Sequence, residues 1–87
     1  MRKTVLVTGA GSGIGRATAV RLSKDGFALI LVGRREGPLE ETRALLFGDD
    51  HVSMAVDVAD RMAFHDVLRE VMKDGGGLEL VGVFANA

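Results

Sequence analysis

The 87 residues contain no cysteine, no tyrosine and no tryptophan, and only one proline. Without cysteine, disulfides and thiolate metal sites are excluded. No apolar run approaches the ~20 residues that span a bilayer. Met1-Arg2-Lys3 and the few apolar-to-neutral residues after it are too short for a signal peptide. Excess charge of either sign is also missing. Eleven Lys and Arg against twelve Asp and Glu leave a net charge of −1, and the basic residues are scattered. Neither nucleic acid nor a membrane surface is therefore expected as a partner, and a reducing, cytoplasmic setting is the expectation. The length allows one small domain, below the usual size of an independent α/β fold. With 47% hydrophobic residues, material for a core is ample.

What the chain has instead is glycine, concentrated in Thr8-Gly9-Ala10-Gly11-Ser12-Gly13-Ile14-Gly15. This stretch follows the apolar run Val5-Leu6-Val7 and precedes a helical pattern that ends at Gly26. Strand, glycine-rich turn and helix in that order make a phosphate-binding device, because backbone N–H groups and the positive helix end face an anion at close range. Gly9 suits the tight turn out of the strand. Gly13 leaves room where a pyrophosphate would sit, and Gly15 lets helix and strand backbones approach closely.

Short apolar runs alternate with helical patterns along the rest of the chain, the sign of successive βαβ units. Strands are expected at about Thr4–Thr8, Ala28–Gly33, Val52–Val56 and Leu80–Ala85. The first helix is expected over about Ile14–Asp25, with Ile14, Ala17, Thr18 and Leu22 on one face. The second starts near Pro38 and ends before Gly48. The third is capped by Asp60 and carries Phe64, Val67, Leu68, Val71 and Met72 as its apolar stripe. Gly75-Gly76-Gly77 reads as a loop. Right-handed crossovers then give a Rossmann-like, three-layer αβα arrangement with a parallel sheet in the order 3-2-1-4. A ligand belongs at the switch point between strands one and four, where Thr8, Arg34, Asp57 and Asn86 lie at strand ends. His51 and His65 are isolated and read as surface residues, with no metal-ligand spacing around them. Met54, Met62 and Met72 read as core or edge packing.

Four features resemble the short-chain dehydrogenases/reductases over the whole chain. They are Thr-Gly-x-x-x-Gly-x-Gly at 8–15, Arg34-Arg35 after the second strand, Asp57-Val58-Ala59-Asp60 after the third, and Ala85-Asn86-Ala87. The resemblance implies a nicotinamide dinucleotide as cofactor. Gly9, Ser12, Gly13, Ile14 and Gly15 would surround its pyrophosphate, Asp57 and Val58 its adenine, and Asn86 its adenosine ribose. Asp57 has a competing role as a turn residue, and Asn86 one in pinning the fourth strand. The last feature departs from the family's Asn-Asn-Ala-Gly, since Ala85 replaces the first asparagine.

NAD-preferring sites carry an acidic side chain at the end of strand two. Gly33 stands there, followed by Arg34, whose guanidinium suits a 2′-phosphate. NADP is therefore expected over NAD, with Ser12 adding a hydroxyl near the same phosphate. In the family a tyrosine assisted by a lysine four residues later handles the proton. With no tyrosine, the chain reads as the N-terminal, cofactor-binding part of an oxidoreductase acting on an alcohol or carbonyl, without catalytic or metal-binding residues of its own. The alternative is a non-catalytic nucleotide-binding or interaction module. The apolar fourth strand, Leu80-Val81-Gly82-Val83-Phe84, leads to the further expectation that the isolated chain self-associates.

Overall fold

The computed structural model describes residues 2–74 and 78–85. Among the described residues seven elements follow one another: β1 (Arg2–Thr8), α1 (Gly13–Lys24), β2 (Ala28–Gly33), α2 (Glu36–Leu45), β3 (Val52–Ala55), α3 (Arg61–Asp74) and β4 (Leu78–Phe84). All strand pairs are parallel, and the sheet runs β3-β2-β1-β4. This is the expected Rossmann-like α/β topology, with the crossover that places β4 beside β1.

Alternation along the central strands divides the core into two layers. Val5 and Val7 of β1 and Leu29 and Leu31 of β2 face α1 and α2, where Ala19 and Leu39 meet them. Leu6, Ile30 and Val32 face the other way, joined by Met54 of β3 and covered by Phe64, Val67, Leu68, Val71 and Met72 of α3. The continuous Leu-Ile-Leu-Val run of β2 is thus buried on both faces, as a central parallel strand requires. The stripe on α3 packs as its spacing predicts. Asp60 caps that helix: its Oδ1 accepts from the Ala63 N–H at 3.1 Å.

α1 closes with a Schellman turn in which the Phe27 N–H reaches Leu22 O and the Gly26 N–H reaches Ser23 O.

Four expectations are corrected. α1 buries Gly15, Ala19 and Ser23, whereas Ala17 is exposed and Ile14 is 67% exposed. The helix lies so close to β1 that its smallest residues face the sheet. α2 begins at Glu36, two residues before Pro38. Proline fits anywhere in a first turn because none of those N–H groups has an intrahelical acceptor. Met62 is 79% exposed, since it falls off the α3 stripe.

His51, expected at the surface, is 4% exposed. β3 begins at Val52 opposite Ile30, so the Leu29 N–H falls one residue short of the ladder. His51 Nδ1 accepts from it at 3.1 Å, and Nε2, which then carries the proton, donates to Phe47 O at 2.7 Å. His51→Leu should therefore lower stability by about 1–3 kcal/mol, chiefly the cost of leaving the buried Leu29 N–H unpaired. Urea denaturation of the two chains measures it, and an unchanged midpoint would show that the imidazole contributes nothing.

Candidate functional site

β1 delivers the chain to the switch point, and the glycine-rich turn reverses it into α1. Gly9 and Gly13 adopt φ of 62° and 56°, in the left-handed region that other residues enter at a cost. A Cβ at Gly13 would meet nothing within 4 Å, so the space beside it is open. Gly15 is the opposite case. A Cβ there would lie 2.1 Å from Gly9 O. The close helix–strand approach read from the motif is thus a steric fact.

Two helices point their N-termini into one cleft. Ser12 is the N-cap of α1 and Arg35 that of α2, and neither side chain caps its helix. The first-turn N–H groups are left for another acceptor, and both helix ends are positive. Between them lies a cavity of about 470 Å³ lined by Gly9, Gly11, Ser12, Arg34, Arg35 and Pro38, among others. Arg34 and Arg35 are exposed. Among the described residues, neither guanidinium makes an ion pair or a hydrogen bond. A cavity of about 260 Å³ adjoins, sharing Gly9, Gly33 and Arg34, and walled by Thr8, Val32, Val56, Asp57 and Val58. Together they form an apolar slot at the β3 end and a positively charged basin between the two helices.

The sequence candidates fall into place unevenly. Gly9, Ser12 and Arg34 line the basin, and Asp57 and Val58 line the slot. Gly13, Ile14 and Gly15 make the first turn of α1. Asp57 has the turn role that competed with ligand binding: its Oδ1 accepts from the Ala59 N–H at 2.9 Å. A carboxylate has room for a second donor on its other oxygen. Asn86 lies outside the described residues. At Gly33 a Cβ would come within 3.0 Å of the end of Leu39, so a larger residue there requires that side chain to give way.

Sequence reasoning missed three contributors. Gly11 is forced by packing, since a Cβ would lie 2.8 Å from Pro38 Cβ of α2. Arg16 and Thr42 join the glycine-rich turn to α2 by side-chain hydrogen bonds. The Arg16 signal lay in its place one residue past the motif, but its partners are far along the chain.

A Rossmann-like α/β fold with a glycine-rich turn at its switch point is the architecture of dinucleotide-binding proteins. The chain belongs to the short chain dehydrogenase family, whose sequence model matches residues 3–87. An uncharacterized oxidoreductase of Staphylococcus epidermidis is 38% identical over 79 residues, covering 91% of this chain and 34% of that protein. A putative short-chain alcohol dehydrogenase of Sinorhizobium meliloti is 40% identical, with a TM-score of 0.78 over 90% of this chain and 32% of that one. A xylitol dehydrogenase solved with NAD+ bound is 36% identical, with a TM-score of 0.81 over 90% of this chain and 31% of that one. The chain thus spans about a third of the length of the curated relatives it matches. Among the described residues no helix is long and apolar enough to cross a membrane.

Proposed function

We propose that this chain is the cofactor-binding part of an NADP-dependent short-chain oxidoreductase acting on an alcohol or carbonyl substrate. One observation carries the reading: two uncapped helix N-termini and two unpartnered arginines converge on one cleft, beside a glycine with open space at its Cα. Such a basin suits an anion with more than one phosphate.

The residues fit a nicotinamide dinucleotide. Amides of the Gly9–Gly15 turn, with Ser12, Gly13 and Ile14 at the start of α1, would hold the pyrophosphate. Arg34 would pair with a 2′-phosphate, with the Ser12 hydroxyl beside it. Asp57 and the Val58 N–H would meet the adenine, and Asn86 the adenosine ribose. When bound, the dinucleotide supplies the hydride donor or acceptor. This chain's residues bind and orient it, and none is assigned the proton. That role needs an acid–base group such as the family's tyrosine, which this sequence lacks.

The xylitol dehydrogenase relative binds NAD+. The preference for NADP therefore rests on Gly33, Arg34 and Arg35, which put no carboxylate at the end of β2, while Glu41 lines the same basin from its exposed rim. Parallel calorimetric titrations with NADPH and NADH test it. Both should bind saturably, with NADPH tighter by roughly tenfold or more, since hydrogen bonds to a charged group contribute about 1.5–3 kcal/mol. Equal affinities would overturn the NADP assignment, and no binding of either would overturn the whole reading.

A second reading, an interaction module working through β4, has one observation in its favour. β4 is an edge strand of the sheet, and Val81 and Val83 are 46% and 61% exposed. Exposed apolar edges pair with other chains. Sedimentation velocity should then reveal concentration-dependent self-association that Val83→Lys weakens. A monodisperse monomer at all concentrations would exclude it.

A further inference from the structure

The side chain of Arg16 leaves α1 and crosses the floor of the cleft to α2. Its Nε donates to Thr42 Oγ1 at 2.8 Å, and its Nη2 donates to Gly11 O at 2.6 Å and Pro38 O at 3.2 Å. Thr42 is fully buried, and its hydroxyl reaches Ala10 O at 2.7 Å. Glu41 Oε1 lies 3.5 Å from the same Nη2, at the exposed rim. These bonds link the carbonyls of the glycine-rich turn to the first turns of α2.

We propose that Arg16 and Thr42 form a clip that fixes the spacing between the two anion-facing walls of the cleft. They are then positioning residues for a dinucleotide that carries both a pyrophosphate and a 2′-phosphate. This rests on the function proposed above. One wall is the glycine-rich turn with the N-terminus of α1. The other is the N-terminus of α2 with Arg34 and Arg35. A ligand with a phosphate at each wall binds bivalently, and its second contact depends on the spacing between them. A ligand that uses one wall is indifferent to that spacing. Ala10 N–H to Val32 O and the burial of Leu39 anchor each wall to the sheet, but among the described residues no backbone hydrogen bond joins the turn to α2, so these side chains and the Gly11–Pro38 contact are the direct ties between the walls.

The test compares Thr42→Val, Thr42→Ser and Arg16→Lys in the purified chain, with NADPH, ADP and 2′-AMP as probes. Thr42→Val keeps the shape and removes the hydroxyl. It should weaken NADPH binding about tenfold while ADP and 2′-AMP stay within about twofold, the signature of lost bivalency. Thr42→Ser should restore NADPH binding. Arg16→Lys keeps the charge without the fork and should behave as Thr42→Val does. Unchanged NADPH affinity in both Thr42→Val and Arg16→Lys would overturn the clip. So would an equal loss for all three ligands, or a failure of Thr42→Ser to rescue.

A ligand-free readout separates this proposal from the function beneath it. In Thr42→Val, amide exchange at Ala10, whose N–H donates to Val32 O, should accelerate about tenfold while the amides of β2 are unchanged, because only the local opening becomes easier. Unaltered exchange there overturns the clip whatever the chain binds. Faster exchange in a chain whose wild type binds neither NADPH nor NADH upholds the clip and removes only the cofactor reading.

Discussion

Gly15→Ala is expected to lower stability by about 3 kcal/mol, at the top of the usual range for forcing extra atoms into a packed contact. For a domain of this size that corresponds to a fall in Tm of roughly 12–24 °C. The added methyl would sit 2.1 Å from Gly9 O and 2.7 Å from Gly9 C, both backbone atoms that cannot rotate away. Relief requires α1 to lift off β1, which opens the Ala19 contact beneath it. Gly13→Ala is the control. Its Cβ meets nothing, so only the left-handed backbone conformation is penalised, by about 1–2 kcal/mol. Thermal unfolding of the two variants should therefore separate them clearly. Equal Tm values would mean that the helix–strand approach is not the tight contact described.

Arg34→Ala should weaken NADPH about 10–100-fold, the loss of one or two charge-assisted hydrogen bonds, and change NADH by less than about threefold. The asymmetry follows from geometry. Arg34 lies just past the end of β2, at the junction of the basin and the slot, on a different segment from the amides proposed for the pyrophosphate. Its guanidinium has no partner among the described residues, so removing it leaves no orphaned group and little effect on folding. The NADPH advantage of the wild type should also shrink with added salt, because the site is exposed and screened. Calorimetry with both dinucleotides at two ionic strengths measures each part. A variant that loses NADPH and NADH equally would place Arg34 at the pyrophosphate or in the fold.

Much of this was legible because its causes are local. The strand–turn–helix at Val5–Gly15 is specified by neighbours in sequence: β-branched and apolar residues, then glycines, then a helical run. The stripe Phe64, Val67, Leu68, Val71 and Met72 announces a helix with one buried face, and that face is found against Leu6 and Ile30. The strand order follows from chirality once the elements are known.

What escaped depends on partners far along the chain. His51 is buried because the β2–β3 register strands the N–H of Leu29, 22 residues earlier. Nothing near His51 signals that register. Arg16 reads as one more solvated arginine until Thr42, 26 residues later, is placed against it. The buried face of α1 departs from its apolar spacing for a related reason: the spacing favours Ile14, whereas the close approach at Gly15 selects the smallest residues. Asp57 shows a different limit. Its acidic side chain serves a turn and could serve a ligand, and the same residue type suits both.

The most direct test of the account is a backbone-amide NMR titration of the chain with NADPH. Saturable shifts are expected, confined to the Gly9–Gly15 turn, Arg34 and Arg35, and Asp57 and Val58. The far ends of the strands and the outer face of α3 should remain unmoved. Saturable shifts centred elsewhere, or none at any concentration, would contradict it.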